Sequence, residues 1–528
     1  MSLIRCLVLS AFFALLVLEN YGYGYWMISR PVVAGAIVGL LMGDLRTGLL
    51  VGGSVELMFM GVLPIGGSVP PNAQIAGVIG TAFAIIAGGK PEVGIALAMP
   101  VGVLAQFLIM LAWNVNIYLT HRADRYIKEG NTKKIEMTHL SGLAVFFIIF
   151  FIAIFCALRF GSPAVAKLVA SLPAWLSGGL KIASGILPAL GMAMLIKMMN
   201  GKKYWAFLLF GFVLAESLHL DMLSIALMGL AIAAGIFVLS GRRKEENVAA
   251  AEQPTAAIAR KPMLDNKDLR SIFGRSFFSM TSINYERFMS LGFCYAMIPA
   301  LKKFYPDEDE YKEALARNNE FFNCHPYAGN AVIGVTLALE EEKATSKDIT
   351  PEVISSTKAA LMGPLSGIGD SLFKATFMTI FAALGAGLAL QGNAFGPILF
   401  LVPNVLLNVF SRWYFIKDGY KQGLKLVSMF HESSLIDRFV QGATIVGLMV
   451  TGALIVSFVS VPIALTFTSA GKQIVVQGLL DKIFPGLLAA LITFIFYRIL
   501  TKNSRGGIYV CLILSFAIGI LGKLLKVF

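Results

Sequence analysis

Apolar residues run through this chain in long blocks separated by short polar stretches, and the length of each block limits what it can form. A bilayer core needs about 20 apolar residues per helix. Residues 141–158, 178–196, 442–467 and 507–522 match that scale, and each is expected to be a single membrane span. The opening MSLIRCLVLSAFFALLVL sets one basic residue before an apolar stretch. No small-residue cleavage site follows Leu18 ahead of Glu19-Asn20, so this segment reads as a retained first membrane segment. Two uncharged runs are interrupted. Leu57 to Gly89 is broken by Pro64, Gly66-Gly67 and Pro70-Pro71-Asn72, and Ala375 to Ser411 by Gln391-Gly392-Asn393. A break at bilayer depth frees backbone groups that only protein or a watery cavity can satisfy. In transporters, interrupted segments point to the substrate site. We expect a re-entrant hairpin over 57–89, and two ordinary helices joined by a tight turn over 375–411.

The polar stretches give topology. Residues 121–134 hold five Lys/Arg and two acids, and 241–270 hold seven and five. Both belong on the cytoplasmic side. The stretch 241–270 also has linker composition, with AAAEQPTAAIA at its centre and a proline at 262. It divides the chain into a membrane half over 1–240, a linker over 241–267 and a second half over 268–528, with no residue-level repeat between the halves. From Lys302 to Pro351 the second half is polar, with helix-like charge spacing, which predicts a small cytoplasmic helical cap over about 302–351 and membrane segments over about 372–528. The expected fold class is all-α: a polytopic membrane protein of two helical halves with re-entrant hairpins and that cap.

Composition narrows the function. Of 528 residues, 57% are hydrophobic and 14% charged, and the mean hydropathy is +0.75. A soluble enzyme, a disordered chain and a nucleic-acid binder are excluded. The net charge of +13 is read as topological, because the basic residues sit between apolar runs. Five scattered cysteines form no C-x-x-C pair, so neither disulfides nor a zinc framework are expected. The chain contains no H-E-x-x-H, G-x-S-x-G, Rossmann or Walker A pattern, and His431-Glu432 lacks a second histidine. His121, His139 and His219 stand isolated. No catalytic residue, cofactor or metal is expected.

Binding residues are better marked. Glu56, in VGGSVELMFMGVLPIGG, is an acid between apolar runs. An ionised carboxylate at membrane depth costs several kcal/mol unless paired or hydrated. It either faces a ligand, for which sugar hydroxyls are suitable donors, or forms a structural pair with Arg46 or Lys90. Asn72 and Gln74 add amides at the hairpin break. Asp44 and Arg46 read as a turn or interfacial pair. EFFNCHPYAGNAVIG groups Asn323, His325 and Asn330 around Pro326. MGPLSGIGDSLF sets Asp370 after Gly363, Gly367 and Gly369, which predicts a tight turn with Asp370 as a helix N-cap. In SINYERF, Glu286 and Arg287 are expected to pair, leaving Asn284 as a sugar contact.

Beyond these readings, RPVVAGAIVGLLMGDLRTGLLVGGSVELMFMGVLPIGGSVPPNAQIAGVIGTAFAI closely resembles the enzyme IIC component of the mannose-family sugar phosphotransferase system. Residues 268–345, through RSFFSMTSINYERFMSLGFCYAMIPALKKFYP and NNEFFNCHPYAGNAVIGVTLALEEEKA, resemble its partner, enzyme IID, and KAALMGPLSGIGDSLF, GPILFLVPNVL and LLDKIFPGLLAALITF continue that resemblance. These components are usually separate chains; here they look fused. The resemblance implies a multi-pass permease of the bacterial inner membrane that binds a hexose or amino sugar outside. It would deliver the sugar for phosphorylation by a cytoplasmic IIB protein, itself charged by IIA. No IIA- or IIB-like domain is visible, so the phosphoryl-carrying residue is expected on that separate partner. The resemblance also implies a homotrimer, elevator-like movement, contact with membrane lipid and no nucleic-acid partner. By motif position it makes Glu56, Asn72, Asn323 and His325 sugar contacts. Mannose-type members often carry an acid at the position of Asn72 and a glutamine near Met27. The P-P-N form looks more like members handling amino sugars such as N-acetylgalactosamine. Two other readings remain: a phosphorylation-independent or ion-coupled sugar transporter, and a docking surface for bacteriocins or phage.

Overall fold

The computed structural model describes residues 2–62, 69–161, 163, 173–198, 201–220, 222–242, 262–346, 349–423, 434–469, 472–503 and 506–528. The first half opens with α1 (Leu3–Leu18), α2 (Pro31–Met42), α3 (Leu45–Phe59) and α4 (Ala73–Ile86). Local chemistry sets their starts. Pro31 opens α2, where a missing N–H loses no helix bond, and Asp44 caps α3 by accepting from the Thr47 N–H at 3.0 Å. Asp44 therefore serves the turn. Two long helices follow, α5 (Pro91–Lys128) and α6 (Thr132–Cys156), the latter extended by a π-helical turn to Gly161. The half ends with α7 (Ala174–Ile186), α8 (Pro188–Met198), α9 (Gly201–Ser217) and α10 (Met222–Arg242). Of the linker 241–267, residues 243–261 lie outside the described residues, as do Gly66-Gly67, Asp221 and His431-Glu432.

The second half starts at α11 (Asn266–Ser276), where Asp265 accepts from the N–H groups of Asp268 and Lys267 at 2.9 and 2.7 Å. Those bonds, the Asp268 one foremost, hold the Asp265 carboxyl below the usual carboxylate range. Next come α12 (Ser290–Phe304), α13 (Glu308–Asn318) and α14 (Gly329–Ser346), the last two within the polar stretch 302–351. Then α15 (Pro351–Gly369) runs straight into a π-helix (Asp370–Met378) and α16 (Thr379–Leu390). The chain ends with α17 (Phe395–Gln422), α18 (Ser434–Phe458), a hairpin of β1 (Thr466–Ser469) and β2 (Lys472–Val475), α19 (Val476–Ile483), α20 (Leu487–Lys502) and α21 (Gly507–Leu524).

Among the described residues, six helical stretches are long and apolar enough to cross a membrane: 91–128, 132–161, 178–197, 351–390, 395–422 and 507–524. Three of these contain the expected spans 141–158, 178–196 and 507–522. The fourth expectation is corrected. Instead of one span over 442–467, α18 stops at Phe458 and the chain continues extended into the hairpin. Pro462 lacks a donor N–H and holds the residue before it out of the helical region, which accounts for the stop. Over 375–411, α16 and α17 are joined by a short turn with Gly392 at φ +78°, where the Asn393 side chain accepts from the Phe395 N–H at 2.9 Å. Asp370 differs from expectation as well. It lies inside the continuous α15–π–α16 rod rather than at a helix start, where packing overrides the weak helix propensity of a segment that also holds Pro364.

The two halves do not fold as separate bodies. Phe13, Phe146 and Phe150 of the first half share one buried core with Phe293, Ile298 and Val335 of the second. Leu49, Val55 and Phe59 share another with Ala382, Phe400, Leu454 and Phe496. In lipid there is little hydrophobic force between helices, so close packing at small residues has to supply the attraction. The α9–α18 contact is of this kind: a Cβ at Gly211 would lie 2.0 Å from the Met449 carbonyl oxygen, and one at Gly452 would lie 2.1 Å from that of Leu208. His139 is a polar pin between halves, its two ring nitrogens bonded to Ser282 Oγ at 2.8 Å and the Phe278 carbonyl at 2.9 Å.

The cap is organised around one buried carboxylate. Glu340 accepts from Arg317 Nε and Nη2 at 3.0 and 2.7 Å, from Asn318 Nδ2 at 2.7 Å and from the Tyr305 hydroxyl at 2.7 Å. Removing one partner of a buried pair strands the other. Glu340→Ala should therefore cost about 3–5 kcal/mol. The expected readout is a lower melting temperature of the purified protein together with faster proteolysis within 305–340.

Candidate functional site

A cavity with about 120 Å³ of water-accessible room lies between the halves. The first half contributes Asn20, Tyr21, Tyr25, Met27, Arg30, Asn72, Gln74 and Trp113. The second contributes Asn323, His325, Ser366, Asp370 and Lys374, with apolar walls from Ile283, Phe288 and Met378.

The segment before α2 is shaped by a buried acid. Glu19 accepts from the Trp26 N–H at 2.6 Å and from the Ser29 N–H and hydroxyl at 3.0 and 2.5 Å. Folding the chain around this carboxylate leaves Tyr25 at φ +59° and Met27 at φ +66°. Such left-handed conformations cost about 1–3 kcal/mol each for residues other than glycine. Strain of that kind persists only where the surroundings impose it, and here it turns both side chains and Arg30 to the cavity wall. Arg30 is then fixed from behind: Glu56 Oε1 accepts from its Nε at 3.0 Å and also from its Nη2, while Glu56 Oε2 accepts from the Val32 N–H at 3.3 Å. Glu56 is fully buried. Its partner is Arg30, not the anticipated Arg46 or Lys90, and it stands behind the wall rather than on it.

Asn72 does two jobs. Its side-chain oxygen caps α4 by accepting from the Ile75 N–H at 2.7 Å, and its own N–H donates to the Gly102 carbonyl at 2.8 Å. The rest of its amide is on the cavity wall, beside Tyr21. Across from it, Ser366, Asp370, Lys374 and Met378 line the cavity at four-residue intervals. That spacing keeps them on one helix face, and 370–378 is π-helical, a feature frequent at functional sites. Lys374 Nζ bonds Asp370 Oδ1 at 3.0 Å.

His325 is held from three sides. Its ring stacks on Phe373 at 5.3 Å and meets Tyr327 edge-on at 5.1 Å, and Gly369 lies against its Cβ. The Tyr327 N–H donates to Nδ1 at 3.1 Å, which assigns the ring proton to Nε2. Nε2 is buried with no partner among the described residues, and so is the indole nitrogen of Trp113 on the same cavity. Unpaired buried donors are costly, so two of them on one cavity mark a place for ligand acceptors. Asn323 lines the cavity too, its N–H directed to Met362 Sδ at 3.3 Å.

Asn72, Asn323 and His325 are thus brought together on one cavity, with Glu56 one residue behind it. Asn284 is not on the wall. Its Nδ2 donates to Thr120 Oγ1 at 2.9 Å and its Oδ1 accepts from the Glu286 and Arg287 N–H groups at 3.0 and 2.9 Å. Arg287 reaches Glu286 at 3.2 Å as expected, and also grips Asp124 with both fork nitrogens at 2.8 and 2.9 Å. Asn330 bonds the carbonyls of Pro326 and Tyr327 at 2.8 and 2.9 Å, bracing the His325 turn. The sequence reading missed Arg30, Lys374 and the loop acid Glu19. Polar residues every fourth position in an otherwise apolar stretch, Ser366-Asp370-Lys374, were the available signal for the second of these.

Gly369 gives a sharp test of the His325 seat. A Cβ there would fall 2.3 Å from His325 Cβ. Gly→Ala in a helix ordinarily stabilises by about 1 kcal/mol. At Gly363 and Gly367, where an added Cβ meets nothing within 4 Å, alanine should raise the melting temperature slightly. Gly369→Ala should instead displace the imidazole and lower the melting temperature of the purified protein, read beside the Gly363 and Gly367 variants.

Residues 3–235 match the family model described as the PTS system sorbose-specific IIC component, and residues 263–528 match that of the PTS system mannose/fructose/sorbose family IID component. The chain is similar to the mannose-specific EIID component of Escherichia coli K12, 38% identical over 49% of this chain and 95% of that protein. It is similar to the sorbose-specific EIIC component of Klebsiella pneumoniae, 30% identical over 45% and 88%. Among solved structures, the cryo-EM structure of mannose transporter ManYZ with microcin E492 includes a chain 36% identical over 50% of this chain and 98% of that one, with a TM-score of 0.30. The chain therefore belongs to the mannose/fructose/sorbose family of the phosphotransferase system, as a multi-pass membrane permease component in which IIC and IID are fused.

Proposed function

We propose that the cavity between the IIC half (1–240) and the IID half (268–528) holds a hexose or amino sugar taken from outside. The chain carries it across the bilayer to a cytoplasmic IIB protein, charged by IIA, which phosphorylates it. The observation that carries this reading is a cavity whose polar groups come from both components and include unpaired buried donors. Sugar hydroxyls both donate and accept, and the wall offers donors at His325 Nε2, Trp113 and Arg30, an acceptor at Asp370, and amides at Asn72 and Asn323. Glu56 contributes by fixing the Arg30 guanidinium. Asn284 contributes at one remove, by bracing the turn that carries Ile283 and Phe288 to the wall. The same family basis supports a homotrimer in the bacterial inner membrane, elevator-like movement and the linker 241–267 on the cytoplasmic side, with the IID cap near the IIB docking face.

The test is uptake by membrane vesicles carrying this chain, supplied inside with matched IIB, IIA and a phosphoenolpyruvate-driven phosphoryl source. Mannose, fructose, sorbose and N-acetylgalactosamine are the substrates to compare. Phosphorylated sugar should accumulate only when IIB is present. Glu56→Ala should lower uptake about a hundredfold, since it strands Arg30. His325→Phe, which keeps the ring on Phe373 and removes the Nε2 donor, should raise KM about tenfold. Uptake that needs no IIB and follows a proton or sodium gradient would overturn the proposal.

A further inference from the structure

The cavity-lining loop over 19–30 belongs to the IIC half, but several of the bonds that hold its carbonyls come from the IID half. Thr281 Oγ1 donates to the Gly22 carbonyl at 2.6 Å. Asn408 Nδ2 donates to the carbonyls of Gly24 and Tyr25 at 2.8 and 3.1 Å, and the Tyr327 hydroxyl reaches the Tyr25 carbonyl at 3.4 Å. These bonds fall where the backbone is left-handed, at Gly24 and Tyr25. Asn408 is itself oriented: Arg412 Nε donates to its Oδ1 at 2.6 Å, so its NH₂ group must face the loop. Arg412 has no carboxylate partner among the described ion pairs. Its other described bonds run from Nη1 to Ser276, at 2.6 Å to the carbonyl, and its guanidinium lies over the rings of Phe277 and Tyr327 at 4.8 and 5.7 Å. Phe277 stacks in turn on Trp26 at 4.8 Å. A fully buried cation is costly unless its bonds are used, and each of these groups fixes the loop or a residue that touches it.

We propose that the Asn408–Arg412 pair of the IID half is the positioning device for the sugar-facing loop of the IIC half. It holds the turn that folds around Glu19 by the carbonyls of Gly24 and Tyr25, and so keeps Tyr25, Met27 and Arg30 on the wall, which makes substrate affinity in IIC depend on residues of IID. The effect on affinity rests on the cavity being the sugar site; the holding of the loop does not.

Asn408→Asp separates this role from folding. The carboxylate keeps an oxygen on Arg412 and gives it a counter-charge, while the two bonds to Gly24 and Tyr25 are lost and an anion faces their carbonyl oxygens. In the purified full chain, amide hydrogen exchange within 20–30 should speed up about tenfold or more, with α5 unchanged. In the vesicle assay KM should rise about tenfold and kcat stay within about twofold, whereas a general loss of folded protein would lower the rate at unchanged KM. Wild-type exchange within 20–30 overturns the proposal, and so does a loosened loop with wild-type KM. Should Asn408→Asp fail to fold, Arg412→Lys carries the test: it keeps the charge but cannot bond Asn408 and Ser276 together, and loop exchange as slow as wild type overturns the proposal. If wild-type vesicles take up none of the four sugars, the functional reading fails, and the exchange comparison still decides the loop.

Discussion

A buried ion pair governs the architecture of the site. Arg30 and Glu56 are both removed from solvent, and a lone charge in that setting would cost several kcal/mol. The pair can survive only if α2 and α3 stay in fixed register, because Arg30 immediately precedes α2 and Glu56 lies near the end of α3. The Val32 N–H is a further tie on the same carboxylate. The position of Arg30 on the first-half wall therefore follows from this electrostatic requirement together with the loop folded around Glu19.

The opposite wall is built by a different device. Along the continuous rod over 351–390, four-residue spacing sets Ser366, Asp370 and Lys374 on one face. The last two lie in a π-helical segment over 370–378. Lys374 is buried and needs a counter-charge, which Asp370 supplies four residues earlier. One wall is thus a charge pair between helices and the other a charge pair within one helix. Each pair presents a polar atom to the cavity while keeping its net charge near zero, which suits a neutral polyol better than an ion.

Much of this was legible in the sequence because bilayer physics leaves so few choices. The apolar stretches that contain 141–158, 178–196 and 507–522 and the turn between α16 and α17 follow from run length and the Gln391-Gly392-Asn393 break. Glu56 stood out because an acid in a long apolar run has to be explained. What could not be read was the identity of partners. Nothing in local spacing tells that Glu56 meets Arg30, 26 residues earlier, rather than Arg46, 10 residues earlier, or Lys90, 34 residues later. Asn284 was read as a ligand contact because an amide beside a self-paired Glu-Arg looks free. Its Oδ1 is taken by two N–H groups of its own turn, and its bond to Thr120 arises only when α5 packs beside it. The Asp370 turn was misjudged because glycine was weighed by its propensity. At Gly369 the small residue serves the imidazole of His325 in another segment.

Fusion of the two components follows naturally from this packing. Both buried cores draw residues from both halves, so neither half could cover its apolar surface alone, and several bonds on the first-half loop's carbonyls come from the second. Joining the components adds no new contact: it raises the effective concentration of one half beside the other and fixes their ratio at one to one. The gain lies in assembly. A IIC half without its partner would leave the carbonyls of Gly22, Gly24 and Tyr25 without these donors, and a tether keeps that donor set in reach from the moment both halves are made.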